Sequence, residues 1–114
     1  MKLSEIKDLL DCRTLCDCAD EDPEITLCMS SDMMSDVLAF ASPGALLVTG
    51  LTNAQSVRTA DFADASGIVY LRGKKPEPPT VELARRLSIP LYCTDLGMFD
   101  ACGRLHAAGC RGAC

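Results

Sequence analysis

The sequence predicts one α/β domain, a layered α/β/α fold around a mostly parallel sheet of four or five strands. Three observations carry this expectation. From residue 24 onward, strand-like and helix-like segments alternate, which implies parallel pairing through right-handed crossovers. Two short runs, Ala45-Leu46-Leu47-Val48-Thr49 and Ile68-Val69-Tyr70-Leu71, are apolar almost throughout, the pattern of strands covered on both faces. Residues that cap helices or form turns separate the segments at short intervals.

The elements follow in order. Leu3, Ile6, Leu9 and Leu10 recur at helical spacing and give a short opening helix. Cys12 to Cys18 reads as a strand, and Asp20-Glu21-Asp22-Pro23 as an acidic turn. Glu24 to Met29 is the next strand. Ser30-Ser31-Asp32 signals a helix start, with Met34, Val37, Leu38 and Ala41 facing inward, and Ser42-Pro43-Gly44 ends that helix. After the strand 45–49, Thr52-Asn53 caps a helix reaching about Ala65, broken at Ser66-Gly67. After the strand 68–71, residues Gly73 to Pro79 form a loop, and Thr80 caps a helix through Arg86 or Leu87. Ile89 to Cys93 is a third buried strand. Thr94-Asp95 caps a last helix from about Leu96 to Ala108. Residues 1–109 form the domain, and 110–114 a loose cysteine-containing tail beyond Gly109.

The chain has 114 residues, which suits one modest core. Its net charge of −5 repels nucleic acid on average, and its few aromatics offer little for base stacking. Arg72-Gly73-Lys74-Lys75 and Arg85-Arg86 read as solvated faces. No apolar run approaches the ~18 residues needed to cross a bilayer. The polar N-terminus is unlike a signal peptide. Together these features predict a cytoplasmic protein with neither nucleic-acid nor membrane partners.

The order of features resembles a known family. Ser30-Ser31-Asp32-Met33-Met34-Ser35-Asp36-Val37-Leu38-Ala39 is similar to the family's helix after its β-turn. Pro43-Gly44, Val48-Thr49, Asn53, Gly67-Ile68-Val69, Gly73, Pro76, Thr80, Ile89-Pro90, Thr94 and Phe99…Gly103-Arg104-Leu105 follow in the family's order. The chain thus resembles a stand-alone DRTGG domain over nearly its whole length. The resemblance implies a fold similar to the amino-terminal domains of HPr kinase and of Mur ligases. It also implies an accessory or regulatory module, since in such proteins catalysis lies elsewhere. In the Mur relatives the equivalent surface holds a uridine nucleotide. The namesake Asp-Arg-Thr-Gly-Gly falls near Asp22 to Met29, where the chain reads Asp-Pro-Glu-Ile-Thr-Leu-Cys-Met. The arginine and both glycines are missing, so backbone approaches that glycines permit are closed to Leu27-Cys28.

Ligands of open α/β sheets bind outside the carboxyl ends of the strands. The candidate ligand-binding residues are therefore Ser30, Ser31, Asp32, Thr49, Asn53, Gly73 and Thr94. Hydroxyls and free amides at helix starts suit an anion, although helix capping is the commoner use of such residues. No phosphate-binding glycine motif occurs, and no cofactor is expected.

Eight cysteines call for a chemistry. Cys12, Cys16 and Cys18 share one face if they lie on a regular strand, and Cys110 and Cys114 form the expected exposed pair. The spacings match no zinc or iron–sulfur template, and small core residues are the simpler reading; no metal site is expected. The single histidine, His106, has Cys102 and Cys110 at helical spacing but no third group to orient it, so no enzyme active site is expected. Met29, Met33 and Met34 suit adaptable contacts, and the expected assembly is a homodimer.

The function expected is a non-catalytic regulatory or ligand-sensing module. It would bind a small anionic metabolite, a nucleotide or a partner protein such as a larger enzyme. The alternative is a cysteine-dependent accessory protein of redox or iron–sulfur metabolism.

Overall fold

The computed structural model describes residues 1–18 and 21–114. Asp20, part of the predicted acidic turn, lies outside them. The elements run α1 (Leu3–Leu9), β1 (Arg13–Cys16), β2 (Leu27–Ser30), α2 (Met34–Phe40), β3 (Leu46–Thr49), α3 (Ala54–Phe62), β4 (Gly67–Tyr70), α4 (Pro78–Arg86), β5 (Leu91–Cys93), α5 (Met98–Ala107) and β6 (Arg111–Gly112).

The described residues build one six-stranded sheet ordered β1-β5-β4-β3-β2-β6. Only β1 runs antiparallel to its neighbour; β2 through β6 pair in parallel. Because β2, β3, β4 and β5 are sequential neighbours, their connecting helices α2, α3 and α4 fall on one face under the right-handed crossover rule. The chain then returns across the other face through α5, beside α1, to place β6 at the far edge.

Side-chain alternation records these two layers. Leu47, Ile68, Tyr70 and Leu91 join Met34, Val37, Val57, Ala60 and Ala84 in one core. Leu46, Val48, Val69, Leu71 and Tyr92 join Leu3, Ile6, Leu10, Ala101 and Leu105 in the other. A strand with apolar partners on both faces needs no polar residue, which is why 46–48 and 68–71 read as continuous hydrophobic runs.

The structure departs from the sequence reading in four places. The sheet has six strands where four or five were expected. Residues 110–114 are not a loose tail: Arg111 and Gly112 pair with Leu27 and Cys28, and Cys110 and Ala113 are buried. A two-residue strand lacks the length to show a period in sequence, and its pairing comes entirely from tertiary contact. Cys110 is therefore not half of an exposed pair, while Cys114 is exposed. The register of β1 shifts between Thr14 and Cys16. That bulge sends Cys16 and Cys18 to the first core and leaves Cys12 against the second, because one extra residue inverts the alternation of a strand.

Helix starts also move. Ser30-Ser31-Asp32 do not open α2, whose N-cap is Met33. Thr80 lies within the first turn of α4, behind Glu77 as N-cap. Thr94-Asp95 precede α5, whose N-cap is Gly97. Asn53 alone caps as expected, its side chain accepting the Ser56 amide at 3.3 Å. No helix among the described residues is long and apolar enough to cross a membrane.

Candidate functional site

Polar side chains gather where the strands end. Three hydroxyls there share one local geometry. Ser31 Oγ accepts the amide of Met33 at 3.0 Å, Thr49 Oγ1 that of Leu51 at 3.1 Å, and Thr94 Oγ1 that of Leu96 at 3.2 Å. Each closes a turn on the amide two residues ahead, the short-range bond that Ser and Thr offer in place of a helix cap. Thr94 also donates to the Leu10 carbonyl at 2.6 Å from a fully buried position. These hydroxyls therefore shape the edge, and their polar atoms are engaged within the protein.

Asp32 ties two strand ends together. One carboxylate oxygen accepts both Thr49 Oγ1 at 3.1 Å and the Gly50 amide at 2.6 Å. The backbone at Gly50 is crowded: a Cβ there would lie 2.5 Å from Arg72 Nη2 and 3.3 Å from Asp32 Oδ2. Glycine thus lets the Arg72 guanidinium pass over this strand end.

Arg72 and Gly73 form a turn at the end of β4 with both φ angles positive, 56° and 69°. The Lys74 amide closes it on the Leu71 carbonyl at 3.1 Å. Left-handed backbone costs a non-glycine residue about 1–2 kcal/mol, so Arg72 is held there under strain. Lys74 Nζ then donates to the Gly50 carbonyl at 3.1 Å. Arg13 enters from the start of β1, which ends at this edge because the strand is antiparallel. Its Nη2 reaches Asp95 Oδ1 at 3.1 Å and Cys93 Sγ at 3.4 Å. The hydrogen bond from Arg13 holds the Asp95 carboxyl below its usual range. Cys93, buried, donates to the Lys74 carbonyl at 3.2 Å and so links the two loops.

Four cations, Arg13, Arg72, Lys74 and Lys75, therefore meet at the carboxyl edge of a chain whose net charge is −5. Among the described residues Arg72, Lys74 and Lys75 have no carboxylate within ion-pair distance. Lys75 borders an open cavity of about 450 Å³ with Thr52, Asn53, Glu77 and Thr80.

Of the sequence-predicted residues, Asp32, Thr49, Asn53, Gly73 and Thr94 come together at this edge. Ser31 stands beside them, within its own turn. Ser30 turns elsewhere: its hydroxyl accepts from Cys102 Sγ at 3.1 Å. It lines a second cavity of about 310 Å³ with Cys28, Cys102, His106, Cys110 and Cys114. Burial pushes the Cys28 thiol up to about 12. Among the described residues no three histidine, cysteine or acidic side chains are placed to hold a metal ion. The cations were missed because Arg72-Gly73-Lys74-Lys75 reads as a solvated face; its position directly after a buried strand was the available signal. Arg13 had no such signal, since its place depends on the antiparallel pairing of β1.

A solved structure shares this architecture. The chain is similar to the CBS and DRTGG domains of the regulatory region of a Clostridium perfringens pyrophosphatase, a structure complexed with the activator diadenosine tetraphosphate. The TM-score is 0.75 at 19% identity, over 90% of this chain and 45% of that one. The chain thus spans less than half of that protein's length and has a DRTGG-like fold. No protein-family profile and no curated relative matches the sequence.

Proposed function

We propose that the protein is a regulatory module that senses an anionic nucleotide or a small phosphorylated metabolite at the carboxyl edge of its sheet, without catalysing a reaction on it. The observation that carries this reading is the group of cations at Arg13, Arg72, Lys74 and Lys75, three of them lacking a carboxylate partner among the described residues. Unpaired cations at one edge of an otherwise acidic chain attract phosphate, and Arg72 presents a planar fork suited to its oxygens. The similar pyrophosphatase region, itself regulatory, carries a polyphosphorylated nucleoside activator, and this supports the same ligand class here. Ser31, Thr49 and Thr94 would position the loops, while Asp32 and Gly50 would hold the space that Arg72 occupies. A homodimer and a larger partner enzyme belong to the same proposal, as the bodies that would read out the bound state.

The test is calorimetric titration with diadenosine tetraphosphate, ATP and inorganic phosphate. Binding of at least one of them, lost in Arg72→Ala and weakened in the Lys74→Ala/Lys75→Ala double variant, is the expected result. Absence of heat from all three with a folded protein would sink the reading.

A further inference from the structure

The opposite, amino edge of the sheet carries a separate chemistry. Cys16 closes β1 and is buried in the first core, and Cys18 packs half-buried against the same core. The bulge between Thr14 and Cys16 sets this orientation. The two sulfurs stand 3.3 Å apart, in direct contact. Cys18 also lines an open cavity of about 480 Å³ with Glu21, Pro23, Gly44, Ser66, Ser88 and Pro90, the residues at or just before the strand starts. One sulfur is thus reachable from solvent, and the other is shielded directly behind it.

We propose that Cys16 and Cys18 form a thiol–disulfide exchange site whose co-reactant is a low-molecular-weight disulfide entering through this cavity. The Cys18 thiol gives its proton to solvent, and its thiolate attacks one sulfur of the reagent RSSR. A Cys18–SR mixed disulfide forms and one RS⁻ leaves. The Cys16 sulfur, losing its proton in turn, attacks the Cys18 sulfur and expels the second RS⁻. The two thiolates released take up the two protons. Two cysteine thiols are oxidised to one disulfide, and RSSR is reduced to two RSH. The geometry assigns the roles: Cys18 meets the reagent, and Cys16 resolves the adduct because its sulfur is already in contact. Exchange needs the thiolate, and burial together with the Cys16 hydrogen bond pushes the Cys18 thiol up to about 11. The rate therefore rises roughly tenfold per pH unit between pH 7 and 10.

The experiment uses the full chain and oxidised glutathione at pH 8, followed by alkylation, trypsin and fragment mapping. The tryptic peptide Thr14–Arg58 contains Cys16, Cys18 and Cys28. The expected product carries one alkyl group, on Cys28, and lacks two hydrogens. In Cys16→Ser the reaction stalls as a glutathione adduct on Cys18. A triply alkylated peptide would overturn the proposal, as would a Cys28–Cys110 link in place of Cys16–Cys18. The wild-type map decides the matter even if Cys16→Ser fails to fold. Because the two edges are distinct, nucleotide binding at the carboxyl edge stands or falls on its own titration.

Discussion

At the scale of single residues, backbone strain singles out Arg72 and hydrogen bonding singles out Asp32. Arg72 occupies left-handed backbone that glycine would adopt freely. Glycine would also lose more chain entropy on folding, so Arg72→Gly should stabilise the protein by only about 0.5–1 kcal/mol. The same change should abolish anion binding, and paired urea denaturation and calorimetry would reveal the opposed effects. Asp32 does the reverse work. Its removal leaves the buried Gly50 amide and the Thr49 hydroxyl without an acceptor. Asp32→Ala should therefore lower stability by about 1–3 kcal/mol, read from the urea midpoint. At the surface, Asp22 accepts hydrogen bonds from the Ser4 hydroxyl and amide, which hold its carboxyl below the ordinary value of 3.8. A depressed folded value means the stabilisation is present above pH 3.8 and fades as pH falls through the folded value. An NMR titration should find the Asp22 midpoint below 3.8, moving back toward it in Ser4→Ala; an unmoved midpoint would assign the shift to another cause.

At the scale of elements, legibility in the sequence followed burial. Strands β3, β4 and β5 were readable because helices cover both their faces, leaving apolar runs with turn residues at the ends. The helix starts were readable only to within a few residues. The same Ser and Thr that signal a cap here close turns on the amide two residues on, and the two uses share one composition. Strand β1 was found but misread in facing, since a bulge leaves no mark in the alternation of Cys-x-x-x-Cys-x-Cys. Strand β6 was invisible, being two exposed residues, Arg111 and Gly112. It nonetheless stabilises the edge: the Arg111 and Ala113 amides donate to the Thr26 and Cys28 carbonyls at 2.9 Å. Two such bonds and the burial of Cys110 and Ala113 together suggest about 2–4 kcal/mol. Deleting residues 110–114 should lower the urea stability by that amount; an unchanged midpoint would return the segment to the status of a tail.

At the scale of the whole molecule, what distinguishes the candidate ligand edge is charge. Strands β2 to β5 step in one direction across the sheet, so no reversal of strand order opens a crevice among them, unlike the doubly wound folds in which such crevices bind ligands. The location of the edge was readable from the strand ends. Its chemistry was only partly so: Arg72, Lys74 and Lys75 follow a buried strand in one run, whereas Arg13 joins them only once β1 has paired against β5. An acidic chain that concentrates unpaired cations in one place should show an interaction sensitive to ionic strength, since exposed charges are screened over ~10 Å at 0.1 M salt. Each lysine should contribute modestly, so Lys74→Ala and Lys75→Ala alone should weaken nucleotide binding about two- to fivefold at low salt, matching the 0.2–1 kcal/mol typical of exposed pairs. Arg58→Ala, an exposed cation on α3 that belongs to no ion pair among the described residues, should leave the affinity unchanged. Raising salt should shrink the lysine effects while preserving more of the Arg72 effect, because a fork-shaped donor in contact with phosphate is held by geometry as well as field. If Arg58→Ala weakened binding as much as the edge lysines did, the attraction would come from overall charge and the edge would lose its claim to be the site.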